Sequence, residues 1–341
     1  MPIKIAINGF GRIGRAVFKG ALANKNLQIV AINDLMDAKT LAHLLKYDTV
    51  YREYNKKVEA TKEGIKVDGK LFPILSEKDP ANLPWAKLGV QVVAECTGRF
   101  TNKEEAGGHL KAGAKRVLLS APAKDDATQT LVYGTKYSVD CLNKNKCDKV
   151  ISMASCTTNC ISPVMQVLQD SFGIEKAFMT TIHSYTADQV LVDGPHRDLR
   201  RARAAAHNII PTTTGAAIAT TKVIPKLENR FDGISVRVPT ICASLTDITA
   251  VLSKANVTVE QINEAFKKAK KEPLYKGILD ATEAPLVSSD YIGNSFSTVV
   301  DLPYTRVIGG NLIKVLAWYD NEWGYSMRLV QMIEQLGKNI K

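Results

Sequence analysis

The chain opens on a short apolar run, residues 3–8, breaks at Gly9-Phe10-Gly11-Arg12-Ile13-Gly14, and continues with helical spacing to about Asn24. A second apolar run, residues 28–33, ends at Asp34. The order predicted is strand, turn, helix, strand. Asp68-Gly69, between Ile65-Lys66-Val67 and Lys70-Leu71-Phe72, is the strongest short hairpin signal and predicts an antiparallel ribbon there. Residues 91–95, 116–120 and 150–153 read as further buried strands, with a helical stretch over 102–112 between the first two. The first half is therefore expected to be α/β, a doubly wound parallel sheet.

After Cys156 the runs lengthen into alternation. Residues 177–184, 234–239, 241–252 and 307–319 are each expected to form a strand, giving a mainly antiparallel sheet with helices on one side. Apolar positions at Val259, Ile262, Ala265, Phe266 and Ala269 predict a helix over 259–271, and a last helix is expected over about 326–336.

At 341 residues the chain exceeds the roughly 250–300 at which one core stops growing, so two domains are expected. With 45% hydrophobic and 23% charged residues and no apolar run of about 18, it carries no membrane-span signal. Cys96, Cys141, Cys147, Cys156, Cys160 and Cys242 show neither disulfide-framework density nor paired CxxC spacing, which fits a reducing compartment. The strand pattern begins at Ile3, so no leader is expected and the cytoplasm is the expected location. A net charge of +11 admits nucleic acid, an anionic membrane surface or phosphorylated small molecules as partners. The lysines are dispersed, with modest clusters at residues 267–271 and around Arg197, Arg200, Arg201 and Arg203. Dispersion favours an anionic substrate; nucleic acid is kept only as a secondary ligand, with steep salt dependence as its signature.

Gly9, Gly11 and Gly14 meet the G-x-G-x-x-G spacing, weak alone but here set between a strand and a helix. Asp34 follows Gly14 by 20 residues at the end of the next strand, as the dinucleotide fingerprint requires. Glycines let the backbone approach a pyrophosphate, and the helix start offers N–H groups and a positive dipole end. Asp34 would bond a ribose diol and repel a ribose phosphate, which favours NAD over NADP. The competing reading makes Asp34 a helix cap before Leu35.

Cys156, in Ser152-Met153-Ala154-Ser155-Cys156-Thr157-Thr158-Asn159-Cys160, has three candidate roles. As a metal ligand it lacks company, since Cys160 is the only near cysteine and no histidine stands at finger-like spacing; no metal is expected. A buried thiol is an ordinary outcome and suits Cys160 better. A cysteine at a strand-to-helix junction favours the thiolate, the reactive form. Pro163 complicates the helix start, because it would kink a helix beginning before Cys160. Of His43, His109, His183, His196 and His207, His183 lies at the end of a strand beside Ser184, Tyr185 and Thr186 and is the candidate base; pattern alone leaves this open.

With these residues in view the chain resembles the phosphorylating glyceraldehyde-3-phosphate dehydrogenases, end to end. The resemblance rests on residues 8–15 (Asn-Gly-Phe-Gly-Arg-Ile-Gly-Arg), 154–160, 183–186, 214–217 and 237–240, and on Trp318-Tyr319-Asp320-Asn321-Glu322-Trp323-Gly324-Tyr325. It implies a Rossmann NAD-binding domain, 1–154 joined by the C-terminal helix 322–341, and a catalytic α+β domain, 155–321, with an S-shaped loop at about 185–207. It implies Cys156 as nucleophile and His183 as acid–base partner: the thiolate captures glyceraldehyde 3-phosphate as a thiohemiacetal, oxidation leaves a thioester, and inorganic phosphate releases 1,3-bisphosphoglycerate. Thr186 and Arg237 would hold the substrate phosphate; Ser155, Thr157, Thr214 and Gly215 would serve the attacking phosphate and nucleophile, and Arg201 would approach the substrate.

The same resemblance implies that Gly9, Gly11, Arg12, Ile13, Gly14, Asp34, Leu35, Lys78, Thr97, Ser120, Asn321 and Tyr325 contact NAD, and that the S-shaped loop packs in a homotetramer. Four positions depart from the family pattern. Tyr51-Arg52 follows Tyr47-Asp48-Thr49-Val50 where His-Gly is common, Lys78 replaces a frequent arginine, and Cys96 replaces a serine. The nearest rival activity is erythrose-4-phosphate dehydrogenase; the rival from another class is a basic RNA-binding protein built on a Rossmann shell.

Overall fold

The computed structural model describes residues 1–340. They fall into two compact units, one of Met1–Leu131, Cys141–Ala154 and the segment from Ser326 on, the other of Val132–Asp140 and Ser155–Tyr325. This division departs from the expected boundaries in two places. Residues 132–140 go with the second unit, where the backbone N–H of Lys136 donates to Gln166 and its ammonium pairs with Asp170. The C-terminal return to the first unit begins at Ser326, inside the helix Trp323–Lys338.

The first unit is built on a nine-stranded sheet in the order Gln129–Thr130, Val150–Ser152, Arg116–Leu119, Val92–Glu95, Ile3–Asn8, Leu27–Asn33, Lys70–Leu75, Gly64–Val67, Val58–Ala60. The strands are parallel as far as Lys70–Leu75, and the last three form an antiparallel ribbon. Asp68 and Gly69 both take positive φ, 49° and 82°, as the type I′ turn of a two-residue hairpin demands. Helix Arg12–Ala23 buries Ala16, Val17, Phe18 and Ala21, and Phe18 meets Phe10 and Phe72 edge to face at 5.5 and 4.9 Å. From Ile3–Asn8 the sheet grows first on one side, through Leu27–Asn33, and then on the other, through Val92–Glu95, so its carboxyl end, at Asn8, is a topological switch point, where open α/β sheets bind ligands. The helix expected over 102–112 is two short ones, Lys103–Ala106 and Gly108–Lys111: the adjacent Gly107 and Gly108 are poor helix formers and break it.

The second unit carries a seven-stranded sheet in the order Ile210–Thr213, Phe231–Val238, Ile174–Ser184, Ser244–Leu252, Leu312–Tyr319, Thr298–Ile308, Leu279–Thr282. It is mixed and mainly antiparallel; Ile174–Ser184 runs parallel to Phe231–Val238, and Leu279–Thr282 to Thr298–Ile308. The single strand expected over 307–319 is two, turning at Gly309-Gly310, because alternation alone does not register a tight reversal. Helix Cys156–Phe172 lies against four of the central strands and buries Ile161, Val164, Met165 and Leu168 on them. Pro163 is inside this helix, so the start is at Cys156 despite the proline: only the hydrogen bond to the Asn159 carbonyl is forfeited, and the buried apolar face outweighs it.

Candidate active site

Cys156 is the first residue of its helix because Ser155 caps it. Ser155 is extended (φ −103°, ψ 166°), and its hydroxyl oxygen accepts the Thr158 N–H at 3.1 Å in a capping box. Ala154, immediately before, is in the left-handed region at φ +53°, a costly conformation for a residue with a Cβ. The chain thus turns sharply into the helix and presents Cys156, partly exposed, at its positive end.

Cys156 Sγ lies 3.4 Å from His183 Nε2. His183 sits near the end of Ile174–Ser184, and its Nδ1 is 2.7 Å from the carbonyl oxygen of Ser184. A bare nitrogen at that distance from a carbonyl would repel it, so Nδ1 carries the proton and Nε2 is the acceptor turned toward sulfur. Arg237 is the register partner of His183 on the neighbouring parallel strand. Its Nη1 is 3.0 Å from the Ser184 oxygen and 3.4 Å from Thr186 Oγ1, while its Nε is buried without a partner. A guanidinium with a donor to spare beside a hydroxyl suits an anionic oxygen.

The electrostatics follow from burial and from Arg237. Burial, then the guanidinium, lower His183 from 6.5 to about 3, so the imidazole rests neutral. Burial pushes the Cys156 thiol up, while Arg237 and the Thr157 N–H pull it down. Cys160, one turn along, is fully buried, donates to Thr298 Oγ1 at 3.4 Å and is raised to about 12 by burial. The two cysteines are therefore chemically unlike.

The remaining expected residues divide. Thr157 shares a hydrogen bond with Tyr319 Oη at 2.9 Å, and both its backbone N–H and its hydroxyl favour the Cys156 thiolate. Thr214 Oγ1 accepts the Ala216 N–H at 3.2 Å, and Gly215 caps helix Ala216–Val223 with open space where a Cβ would stand. That helix packs on the nucleophile's helix, Ser162 and Thr220 sharing a 3.2 Å hydrogen bond. Arg201 is engaged by Asp188 at 2.6 Å, Thr212 at 2.9 Å and the Thr213 carbonyl at 3.3 Å, so its charge is largely spent within its own loop. Asn321 Oδ1 accepts from the hydroxyls of Ser184 and Ser244 at 2.9 and 3.1 Å, which fixes its amide, and Tyr325 is buried.

Sequence reasoning missed Tyr319, whose hydroxyl joins Thr157 and Thr181 and whose ring stands edge-on to His183 at 5.9 Å. Alternation along Leu312–Tyr319 carried the signal, since Ile313, Val315, Ala317 and Tyr319 are the buried set. It also missed Asp188, which anchors Arg201.

In the first unit the glycine loop fits a dinucleotide. Gly9 takes φ +91° with its Cβ position 2.7 Å from the Thr97 N, a Cβ on Gly14 would strike the Gly9 carbonyl, and the Cβ position of Gly11 faces open space. Helix Arg12–Ala23 starts at Arg12 with Ile13 behind it and has no side-chain cap. The Arg12 guanidinium is bound to Asp48, with the shortest contact at 3.1 Å, and lies over the Tyr51 ring. Asp34 accepts the N–H groups of Phe10 at 2.7 Å and Met36 at 3.0 Å; the cap of the next helix is Asp37, so Asp34 is no cap. Leu35, Lys78 and Thr97 are exposed and Ser120 half-buried. Among the described residues no group of three or more His, Cys, Asp or Glu is arranged to hold a metal, and no helix is long and apolar enough to cross a membrane.

Comparison with known proteins agrees. Residues 3–103 match the family described as glyceraldehyde 3-phosphate dehydrogenase, NAD binding domain, and residues 155–321 the one described as its C-terminal domain. The chain is similar to proteins named glyceraldehyde-3-phosphate dehydrogenase: 54% identical to that of Bacillus cereus over 96% of this chain and 97% of the other. The corresponding figures are 52%, 98% and 100% for Borreliella burgdorferi, and 50%, 100% and 100% for Streptomyces coelicolor.

Proposed function

The chain belongs to the glyceraldehyde-3-phosphate dehydrogenase family, and we propose that Cys156 and His183 carry that family's NAD-dependent oxidation and phosphorylation of glyceraldehyde 3-phosphate. The approach of Sγ to an unprotonated Nε2 at 3.4 Å carries the assignment.

Nε2 takes the thiol proton, the sulfur adds to the aldehyde carbon, and His183 returns the proton to the developing alkoxide, which gives a neutral thiohemiacetal and leaves Nε2 bare again. His183 then stands ready to take the proton from the new hydroxyl. NAD, when bound, supplies the hydride acceptor. The thioester that oxidation leaves on Cys156 is opened by inorganic phosphate, and sulfur departs as thiolate, steadied by the helix start and Arg237. Arg237 with Thr186 holds the substrate phosphate. Pairing with that dianion screens the charge that opposes proton uptake by His183, so substrate binding itself readies the base. Ser155, Thr214, Gly215 and the Thr157 N–H, at the starts of two packed helices, receive the attacking phosphate.

The first unit acts as the cofactor domain and the second as the catalytic one. Gly9, Gly11, Arg12, Ile13 and Gly14 serve the pyrophosphate, Asp34 and Leu35 select NAD, and Lys78, Thr97, Ser120, Asn321 and Tyr325 complete the set. The loop 185–207 leaves Leu191, Val192 and Leu199 more than 70% exposed, and the open sheet face shows Phe178 and Ile234, apolar area that suits a homotetramer. Six free thiols support a cytoplasmic site of action.

Steady-state rates with glyceraldehyde 3-phosphate and erythrose 4-phosphate, each with and without inorganic phosphate, test the assignment. Phosphate-dependent turnover of the three-carbon aldehyde is expected; a phosphate-independent rate on the longer sugar alone would overturn it.

A further inference from the structure

Beneath the glycine loop lies a buried polar cluster that the reaction does not use. Glu95, the last residue of its strand, is 2% exposed, yet its carboxylate meets only donors. Oε1 accepts the backbone N–H of Thr97 at 2.8 Å and the Thr97 hydroxyl. Oε2 accepts from Asn8 Nδ2 and lies 3.0 Å from His109 Nε2. Trp85 Nε1 donates to His109 Nδ1 at 2.9 Å, so the ring proton is on Nε2 and points at the carboxylate. Trp85 and His109 are both fully buried. Asn8 Oδ1 in turn accepts from Asn33 Nδ2 at 2.7 Å, and Asn33 accepts the Glu77 N–H at 2.9 Å.

Four donors saturate the four lone-pair positions of an ionised carboxylate; a neutral acid would bring its own hydrogen against one of them. The fold has therefore buried an anion under a loop shaped for another anion, an expensive arrangement if packing were its only purpose. Its ligands explain the placement. Asn8 immediately precedes Gly9, and Thr97 N is the atom nearest the missing Cβ of Gly9. Asn8 and Glu95 are register partners at the switch point, so the carboxylate clasps the two strand ends that flank the crevice. Thr97 Oγ1 also accepts the Arg99 N–H at 3.1 Å, which extends the clasp around the turn at Gly98.

We propose that Glu95 is a positioning residue for the dinucleotide, with His109 and Trp85 locking its carboxylate so that Gly9 and Thr97 are held at the separation the pyrophosphate and its ribose require. This rests on the first unit binding NAD. Its chemistry is confined to cofactor binding: Glu95 touches neither substrate nor nucleophile.

NAD affinity of the intact protein by titration calorimetry, kcat at saturating NAD, and the rate of Cys156 alkylation without NAD together test it. Glu95→Gln places an NH₂ among donors; it is expected to weaken NAD at least tenfold, with kcat at saturation and the alkylation rate within twofold of wild type. Should Glu95→Gln not fold, His109→Leu decides: it removes one donor to Oε2 without approaching the crevice, and at least threefold weaker NAD with unchanged kcat is expected. NAD affinity within twofold of wild type in the folded variant would overturn the proposal, as would a loss of kcat with affinity intact. If wild type itself binds no NAD, the cofactor reading fails instead.

Discussion

Arg237 Nη1 stands 3.0 Å from His183 Nδ1, and the two residues face each other in register on parallel strands. Neither can be a hydrogen-bond donor to the other while Nδ1 carries its proton; both are tied to the Ser184 carbonyl oxygen, at 2.7 Å from Nδ1 and 3.0 Å from Nη1. The carbonyl fixes the tautomer, and burial, with the guanidinium beside it, keeps the ring neutral. A neutral imidazole with Nε2 bare is what a base for the Cys156 thiol needs.

Removing the base should slow the chemistry without emptying the site. His183→Gln is expected to lower kcat by about 10²–10⁴-fold with a small change in substrate KM. Stopped-flow NADH formation checks this, and a kcat within threefold of wild type would assign the proton transfer elsewhere.

Burial and Arg237 also set an acid sensitivity. Unfolded, His183 takes a proton below about 6.5, whereas in the fold it does so only near 3. A lowered histidine favours the folded state fully above 6.5, and that contribution drains as pH falls toward 3, by up to about 1.4 kcal/mol per pH unit. Denaturation of wild type and His183→Gln at pH 7 and pH 5 should show wild type losing more stability than the variant on acidification; equal losses would contradict a buried neutral ring.

Arg237→Leu removes the cation that lowers the thiol and, in the proposed role, binds the substrate phosphate. The midpoint for Cys156 alkylation should move to higher pH, and the KM for glyceraldehyde 3-phosphate should rise by roughly tenfold or more, the worth of a hydrogen bond to a charged group. Iodoacetamide rates across pH and steady-state kinetics report the two effects separately.

Much of this site was legible in the chain, and what was not has physical reasons. The glycine spacing with Asp34 at the next strand end needed only local periodicity, and so did the hairpin at Asp68-Gly69. Cys156 and His183 are 27 positions apart, and nothing local says that one helix start and one strand end converge; the family pattern supplied that pairing. The turn at Gly309-Gly310 was hidden because alternation continues on both sides of it. Pro163 argued for a later helix start, yet the capping box at Ser155 and Thr158 and the buried face won over one lost hydrogen bond. Tyr319 stayed invisible as a site residue because a buried tyrosine in an alternating strand reads as core.

One departure from the family pattern has a structural price. Arg52, where glycine is common, takes φ +65°, a conformation that costs a residue with a Cβ about 1–2 kcal/mol, partly offset by glycine's greater freedom in the unfolded chain. Arg52→Gly should raise stability by about 0.5 kcal/mol, read from the midpoint of urea denaturation. A loss of stability would show that the arginine side chain contributes more than its backbone costs.

The central claim is that the oxidised substrate is carried on Cys156 as a thioester. Mixing the protein with glyceraldehyde 3-phosphate and NAD without phosphate, quenching in acid and mapping peptides by mass spectrometry tests it directly. One acyl group on Cys156 is expected, discharged within the mixing time when phosphate is added and absent from Cys156→Ser, which should still bind NAD. An acyl group on Cys160 or on no cysteine, or turnover in Cys156→Ser, would contradict the account.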